Sequence, residues 1–312
     1  MIPLLQHLTR QISAVNILMM LLGTFVAASA VEVVSVISSD AAPYRAAHEA
    51  LVRRLGLDGH HVRSVSMENL AANGLPALGQ PACVVAIGSP AAVRLHGLKP
   101  TIPLVYCLVS NPERAGLLTP PAALGVTTDI PLTDQLTLLR EALPAAKSIG
   151  LLFRQGDPDS QQQTDALRAL LPAGMTLEAI AIDQQPSPAA AIDALLTRRI
   201  DLVWTSPDSS IWNEATVRSL LLTALRRKIP VFGFSTAFVR AGALVGVGLD
   251  PANQGTQAGG LVIDLLAGKP ATTPVVAPTF DICLNLVVAQ KLSLTMPKPL
   301  LERAKQVFGG GR

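Results

Sequence analysis

The sequence is poor in aromatic residues, charged residues and cysteine. Aromatic residues make up 4% and charged residues 15% of the 312 positions, and cysteine occurs three times. The formal net charge is only +3 and the basic residues are scattered, which argues against a nucleic-acid-binding surface. An odd number of cysteines rules out a full disulfide framework. One bridge among Cys83, Cys107 and Cys283 stays open, beside the simpler expectation of three buried free thiols.

Motifs of several enzyme classes are also missing. No phosphate-binding loop of the G-x-x-x-x-G-K type occurs, and residues 246–248 (GVG) lack the third glycine of a dinucleotide-binding fingerprint. His60 and His61 have no further ligands at metal-binding spacing, so we expect no metal site. Ser235 superficially resembles the nucleophile of a hydrolase, but that fold places its histidine after the serine. All five histidines precede Ser235, so we expect no enzyme and no cofactor, and a hydrolase using Ser235 is a disfavoured alternative.

The first thirty residues have the features of a signal peptide. They contain Arg10 and no acidic residue, then a nearly apolar run over 17–28, and they end in the small-x-small pattern Ala28-Ser29-Ala30. The run is shorter than the roughly 20 apolar residues that span a bilayer, and an uncleaved N-terminal anchor is the alternative. No cysteine directly follows the run, so we expect no lipid attachment. The sequence therefore predicts removal of residues 1–30 and a periplasmic protein.

After residue 30, apolar strand-like runs alternate with helical periodicity, as in parallel sheets flanked by helices. The runs fall into two sets of similar order, which favours two lobes over one large sheet. We predict an α/β fold of two similar Rossmann-like lobes with parallel sheets, joined by a three-crossover hinge. The predicted first lobe comprises 31–126 plus 250–278, and the second comprises 127–249 plus 279–312.

Polar loops follow the predicted strands at their carboxyl ends, the edge where open α/β sheets bind ligands. The same residue types are ordinary helix N-caps, so the prediction depends on several loops facing one cleft. Asp40 and Asp208 are the only acids that we place in these loops, and we prefer Asp208 as the partner of a ligand ammonium group. Trp212 either forms a wall of the cleft or covers the hinge or core. The predicted ligand-binding residues are Ser39, Asp40, Ser89, Ser110, Asn111, Asp208, Ser209, Trp212 and Ser235.

Several segments resemble the periplasmic substrate-binding proteins of ABC transporters, in the group that includes tryptophan- and tyrosine-type binders. They are 86–92 (AIGSPAA), 110–113 (SNPE), 124–127 (LGVT), 135–144 (QLTLLREALP), 231–242 (VFGFSTAFVRAG) and 284–297 (LNLVVAQKLSLTMP). The resemblance covers nearly the whole chain after residue 30. It implies a two-lobed Venus-flytrap protein of the periplasmic binding protein type I-like fold. It also implies that the strand-end loops hold the ligand.

The function implied by this resemblance is capture of a small polar solute, with an amino-acid-like ligand as one option. The partners would be that small molecule and an ABC transporter permease with its ATPase, and we expect a monomer that binds no nucleic acid. A ligand-sensing periplasmic subunit of a signalling receptor is the alternative, and nothing in the two lobes distinguishes it from a transport protein.

Overall fold

The computed structural model describes residues 30–269 and 273–309. The predicted signal peptide lies outside the described residues except for Ala30. Two sheets, one of six and one of seven strands, are each covered by helices. This confirms the predicted α/β fold with two lobes. Within the described ranges, no helix has both the length and the hydropathy needed to cross a membrane.

Lobe 1 is built on the six-stranded sheet, whose strands pair in parallel throughout. Its strands are β1 (Glu32–Ile37), β2 (His61–Ser66), β3 (Cys83–Ile87), β4 (Leu104–Val109), β5 (Leu124–Thr127) and β11 (Val275–Val276), in the order β11-β5-β4-β3-β1-β2. Its helices are α1 (Ala42–Gly56), α2 (Met67–Asn73), α3 (Ser89–Gly97) and α9 (Pro251–Leu266). Valines dominate β1, where Val33, Val34 and Val36 are fully buried, because β-branched side chains pack well on a pleated surface.

Helix α9 follows a strand of the second sheet but packs on lobe 1. A Cβ added to Gly255 would lie 1.9 Å from the carbonyl oxygen of Ala47 in α1, so the two helices approach as closely as glycine allows. Ala258 and Val262 of α9 are buried in the same apolar cluster as Leu51 of α1. The chain therefore returns to lobe 1 at this helix.

Lobe 2 is built on the seven-stranded sheet. Its strands are β6 (Ser148–Phe153), β7 (Thr176–Ala181), β8 (Leu202–Trp204), β9 (Val231–Gly233), β10 (Val245–Leu249), β12 (Phe280–Asn285) and β13 (Gln306–Phe308), in the order β13-β12-β10-β9-β8-β6-β7. Its helices are α4 (Leu132–Ala142), α5 (Pro158–Leu170), α6 (Pro188–Leu196), α7 (Glu214–Arg226), α8 (Thr236–Ala241), α10 (Leu286–Lys291) and α11 (Lys298–Arg303). The pair β10–β12 is antiparallel, which departs from the expected parallel sheet because β12 enters from the hinge side.

Three segments connect the lobes: 128–131 between β5 and α4, the step from β10 to α9 at Asp250, and 277–279 between β11 and β12. In the first crossover, the amide of Thr128 donates to the carbonyl oxygen of Val109 in lobe 1 at 2.8 Å. Two residues on, the carbonyl oxygen of Ile130 accepts from the side-chain amide of Gln135 in α4 at 2.8 Å. The change of lobe thus falls between Thr128 and Ile130. The lobe boundaries given above stay a prediction.

Candidate functional site

A cleft of about 890 Å³ lies between the lobes, lined from lobe 1 by the loop after β4 and from lobe 2 by the loops after β6, β8 and β9. These loops follow the carboxyl ends of parallel strands, as expected for a ligand site in an open α/β sheet. The volume falls within the range of about 300–1,000 Å³ that is common for small-molecule sites. Both lobes contribute residues to the lining, so a ligand here would contact both.

Five of the predicted ligand-binding residues line this cleft: Ser110, Asn111, Asp208, Ser209 and Ser235. Ser235 is the N-cap of α8, and its hydroxyl accepts from the amide of Phe238 at 3.2 Å. Asp208 stabilises its own loop, since one carboxylate oxygen accepts from the amide of Ser210 at 2.9 Å. Capping and lining the cleft are therefore compatible in the same residues.

Three predicted residues of lobe 1 lie outside the cleft lining. Ser39 and Asp40 follow β1 and are exposed. The Asp40 carboxylate forms an ion pair with Arg45 at 3.2 Å, and the Ser39 hydroxyl accepts from the amide of Ala41 at 3.4 Å. Ser89 is the first residue of α3. All three lie at the same sheet edge as Ser110, but further from the first crossover, along the strand order β4-β3-β1.

Trp212 belongs to the core of lobe 2. It is 8% exposed and meets Phe238 edge to face, with ring centroids 5.5 Å apart. Its indole N–H has no hydrogen-bond partner among the described residues. Of the two interpretations left open above, packing in the core fits this position, and Trp212 does not line the cleft.

Three further carboxylates line the cleft that the sequence pattern did not indicate, those of Asp129, Asp157 and Asp159. The expectation that acids in the strand-end loops are limited to Asp40 and Asp208 is therefore wrong. Asp157 and Asp159 follow β6, where Asp157 caps α5 by accepting from the amide of Asp159 at 3.1 Å. That position was visible as an Asp-Pro-Asp sequence in the polar loop after β6. Asp129 lies on a crossover, and only the folded chain brings it to the cleft.

Asp183 fixes the loop that carries Asp157. Its carboxylate accepts from the amides of Gln155 at 3.0 Å and Gly156 at 2.8 Å. Hydrogen bonds from these two amides, Gly156 first, lower the pKa of the Asp183 carboxyl group below its ordinary value. The loop between β6 and α5 is thereby tied to the end of β7.

The cleft lining is acidic. Asp129, Asp157, Asp159 and Asp208 contribute carboxylates, and no lysine, arginine or histidine of the described residues belongs to the lining. Of these four carboxylates, only that of Asp159 takes part in one of the described ion pairs, with Arg114 of lobe 1. Because a cleft with one sign of charge focuses its field, this site favours a ligand that carries a positive group.

An apolar wall faces part of the same space. Trp204 and Phe234 line the cleft together with Ile130 and Leu132. Trp204 is 2% exposed and stacks on Phe232 with centroids 4.6 Å apart, so its ring is rigidly held. Phe234 is partly exposed and offers an aromatic surface to a ligand. The cleft thus combines carboxylates with an aromatic side.

The described residues contain no group of three or more His, Cys, Asp or Glu side chains arranged to hold a metal ion. Ser235 has no histidine beside it in the cleft lining of the described chain, and its hydroxyl acts as a helix cap. The arrangement suits binding of a small molecule by hydrogen bonds and charge.

The profile of one protein family, described as "ABC transporter substrate binding protein", matches residues 70–308. A curated relative, the "Tyrosine-binding protein" of Clostridioides difficile strain R20291, is 28% identical over 202 residues, which are 61% of this chain and 57% of that protein. The chain therefore spans little more than half of that relative's length.

Solved structures agree on the fold. A Streptococcus pneumoniae ABC domain in complex with L-Trp is 24% identical with a TM-score of 0.60, covering 90% of this chain and 100% of that one. The ligand-free, open form of a Clostridium difficile substrate binding protein with adhesive properties is 20% identical with a TM-score of 0.75, covering 89% and 99%. These likenesses confirm the predicted type I periplasmic-binding-protein fold. Because the family profile matches most of its length, the chain belongs to the ABC transporter substrate binding protein family.

Proposed function

We propose that this protein captures a small zwitterionic solute, an amino acid with an apolar or aromatic side chain, in the cleft between its lobes. The observation that carries the proposal is the cleft of about 890 Å³ whose lining contains carboxylates but, among the described residues, no basic side chain. An ammonium group is the cation that amino acids offer to such carboxylates. Two similar proteins, a tyrosine-binding protein and a domain in complex with L-Trp, support the same ligand class.

Each part of such a ligand has a complementary group in the cleft. Asp208 would accept from the ammonium group, because it takes part in none of the described ion pairs and lies in the loop after β8, the strand that carries Trp204 of the aromatic wall. Hydroxyl groups of Ser110, Ser209 and Ser235 and the side-chain amide of Asn111 would donate to the ligand carboxylate. The aromatic wall would contact the ligand side chain, since aromatic pairs add stabilisation beyond the area that they bury.

Calorimetric titration with L-tyrosine and L-tryptophan tests this function. Two analogues of tyrosine separate the contributions: tyramine lacks the carboxylate, and 3-(4-hydroxyphenyl)propionate lacks the ammonium group. We expect the amino acids to bind, tyramine to bind more weakly, and the propionate to lose at least about 10-fold in affinity, because it leaves the carboxylates unpaired. Equal affinity for tyrosine and for the propionate would contradict the acidic-cleft argument.

The physiological role that we propose is delivery of the solute to an ABC importer, made of a permease with its ATPase. The protein would act as a monomer, because one chain supplies both walls of the cleft. It would bind the solute without catalysing a reaction. Light scattering after size exclusion tests the monomer. Uptake of labelled L-tyrosine by cells with and without the protein tests delivery, and sensing without transport would leave uptake unchanged.

We further propose that the protein works in the periplasm after export through residues 1–30. The motif Ala28-Ser29-Ala30 described above supports cleavage before Val31. Mass spectrometry of the intact protein from the periplasmic fraction tests this proposal. A chain that keeps residues 1–30 in the membrane fraction would contradict it.

A further inference from the structure

Gln254, in the first turns of α9, connects the ends of two neighbouring strands of lobe 1. Its side chain is fully buried, with 0% exposure. The side-chain oxygen accepts from the amide of Leu108 in β4 at 2.9 Å, and the side-chain nitrogen donates to the carbonyl oxygen of Thr127 in β5 at 2.9 Å. The side-chain amide of Gln254 thus supplies an acceptor to β4 and a donor to β5, in the way that the main-chain groups of a neighbouring strand do.

The main chain of β4 needs this acceptor. Leu108 has a φ of 55°, which a leucine rarely adopts. The pairing of β4 with β5 shifts register between Tyr106 and Val109. The amide of Leu108 therefore has its acceptor in Gln254 and not in the sheet, because buried amides need a partner.

A series of hydrogen bonds continues from these strand ends to the cleft. The Thr127 hydroxyl donates to the carboxylate of Asp129 at 2.8 Å, and the same carboxylate oxygen accepts from the amide of Asn111 at 2.7 Å. Ser110, Asn111 and Asp129 all line the cleft. Gln254 does not line it, but every one of these residues follows a strand end that Gln254 holds.

We propose that Gln254 is a positioning residue for the ligand. It holds the Ser110–Asn111 loop and the first crossover up to Asp129 as one unit, so that lobe 1 presents these groups to a ligand in a fixed geometry. Fixing polar groups in advance lowers the entropy that binding costs. The inference rests on the proposed function for the identity of its ligand.

The isosteric substitution Gln254→Glu gives a test with a signature of its own. At about pH 8 the ionised carboxylate still accepts from Leu108 but repels the carbonyl oxygen of Thr127. When protonated, the carboxyl group donates to Thr127 and accepts from Leu108, which restores the glutamine pattern, and burial raises the pKa of such a group. We expect the dissociation constant for L-tyrosine to rise about 10-fold at pH 8 and to return to within about 3-fold of the parent at pH 5.

A second variant and a control distinguish loss of the two hydrogen bonds from general unfolding. Gln254→Met keeps the length of the side chain and removes both hydrogen bonds, so it should weaken binding at both pH values. Gln257 is the matched control on the same helix. Its amide donates to Ala277 at 3.2 Å and accepts from Thr279 at 2.8 Å in the third crossover, whose residues do not line the cleft. Gln257→Met should leave affinity within about 3-fold of the parent.

Hydrogen exchange of the ligand-free proteins separates this inference from the proposed function. The amide of Asn111 should exchange faster in Gln254→Met than in Gln257→Met, whether or not L-tyrosine is the ligand. Failure of the parent to bind L-tyrosine, with faster Asn111 exchange in the variant, would count against the proposed ligand alone. Unchanged exchange at Asn111, or a loss of affinity in Gln254→Glu that is the same at both pH values, would overturn the role of Gln254.

Discussion

Arg114 and Asp159 form an ion pair that joins the two lobes beside the cleft. Arg114 lies in the loop after β4, and its amide donates to the side-chain oxygen of Asn111 at 3.1 Å. Asp159 lies in the first turn of α5 and lines the cleft. The side chains are 60% and 37% exposed, so the pair contributes on the order of 0.2–1 kcal/mol. A contribution of this size biases the lobes without locking them.

Arg114→Gln should therefore loosen the arrangement of the lobes. We expect a broader distribution of distances between labels placed on the two lobes, and a similar broadening of the parent when salt rises from about 0.05 to 0.5 M, because salt screens exposed pairs. Arg168→Gln is the control, since Arg168 pairs with Asp165 within α5 at 2.7 Å. An equal change in both variants would show that the effect does not come from the bridge.

Asp208→Asn should weaken binding of L-tyrosine at least about 10-fold, or about 1.4 kcal/mol, because the substitution removes the charge opposite the ammonium group. The asparagine oxygen can still accept from the amide of Ser210, so the melting temperature should stay close to that of the parent. Asp201→Asn is the matched control at the other end of β8, where the carboxylate accepts from the amides of Lys147 and Ser148 at 2.7 and 2.9 Å. Parent-like affinity in Asp208→Asn would show that Asp208 is not the anchor.

The sequence predicted the two lobes because strand-like and helical periods alternate along it and need no long-range information. It also placed Ser110, Asp208 and Ser235 at the correct sheet edge, since a polar residue after a parallel strand has only one edge to occupy. The edge strands β11 and β13, of two and three residues, carry too few residues for a periodic signal. Their pairing depends on neighbours that the folded chain supplies.

The remaining site residues depend on tertiary packing. Trp212 follows a polar loop, as a residue of the cleft wall would, but its contact with Phe238, 26 positions later in the chain, draws it into the core. Asp129 belongs to a crossover that begins after Thr127, whose carbonyl oxygen accepts from the side chain of Gln254, 127 positions later in the chain. Neither contact can be predicted from the local residue pattern, because each joins residues that are far apart in the chain.

Stability should fall as pH drops through the range in which the unfolded His48 takes up a proton. His48 lies in α1 and its ring nitrogen contacts the Ser35 hydroxyl of β1 at 3.2 Å. Burial lowers the pKa of His48 below its ordinary value of 6.5, although Glu49 opposes the shift. Because the folded form binds the proton less readily, the contribution is complete above pH 6.5 and is lost progressively below it.

Melting temperatures between about pH 8 and pH 5 test this dependence. His48→Gln cannot titrate, so its melting temperature should change less across the range than that of the parent. His61→Gln is the control, because His61 is exposed at the start of β2. Parallel curves for the parent and His48→Gln would exclude His48 as the source.

The three cysteines should react with an alkylating reagent only after unfolding. Cys83, Cys107 and Cys283 are free and buried, and burial raises the pKa of the Cys83 and Cys107 thiols to about 12. The thiolate is the reactive form, so both burial and the raised pKa oppose reaction.

The positions of the cysteines also exclude a disulfide. Cys107 pairs with Ile87, which lies four residues beyond Cys83 on β3, a separation of about 13 Å along the strand. A disulfide needs Cα atoms within about 7 Å, so these two cannot bridge, and Cys283 lies in the other sheet.

Alkylation with iodoacetamide, followed by intact mass, checks this directly. Without reductant, we expect no adduct on the native protein and one adduct per cysteine, three in all, in guanidinium chloride. A disulfide would leave a single adduct in the denatured protein until reductant is added. Cys83→Ala and Cys107→Ala are informative controls, because each should remove one adduct from the denatured protein and leave the native result unchanged. A native protein that takes up label at Cys83 or Cys107 would contradict the burial of β3 and β4 in the centre of the lobe 1 sheet.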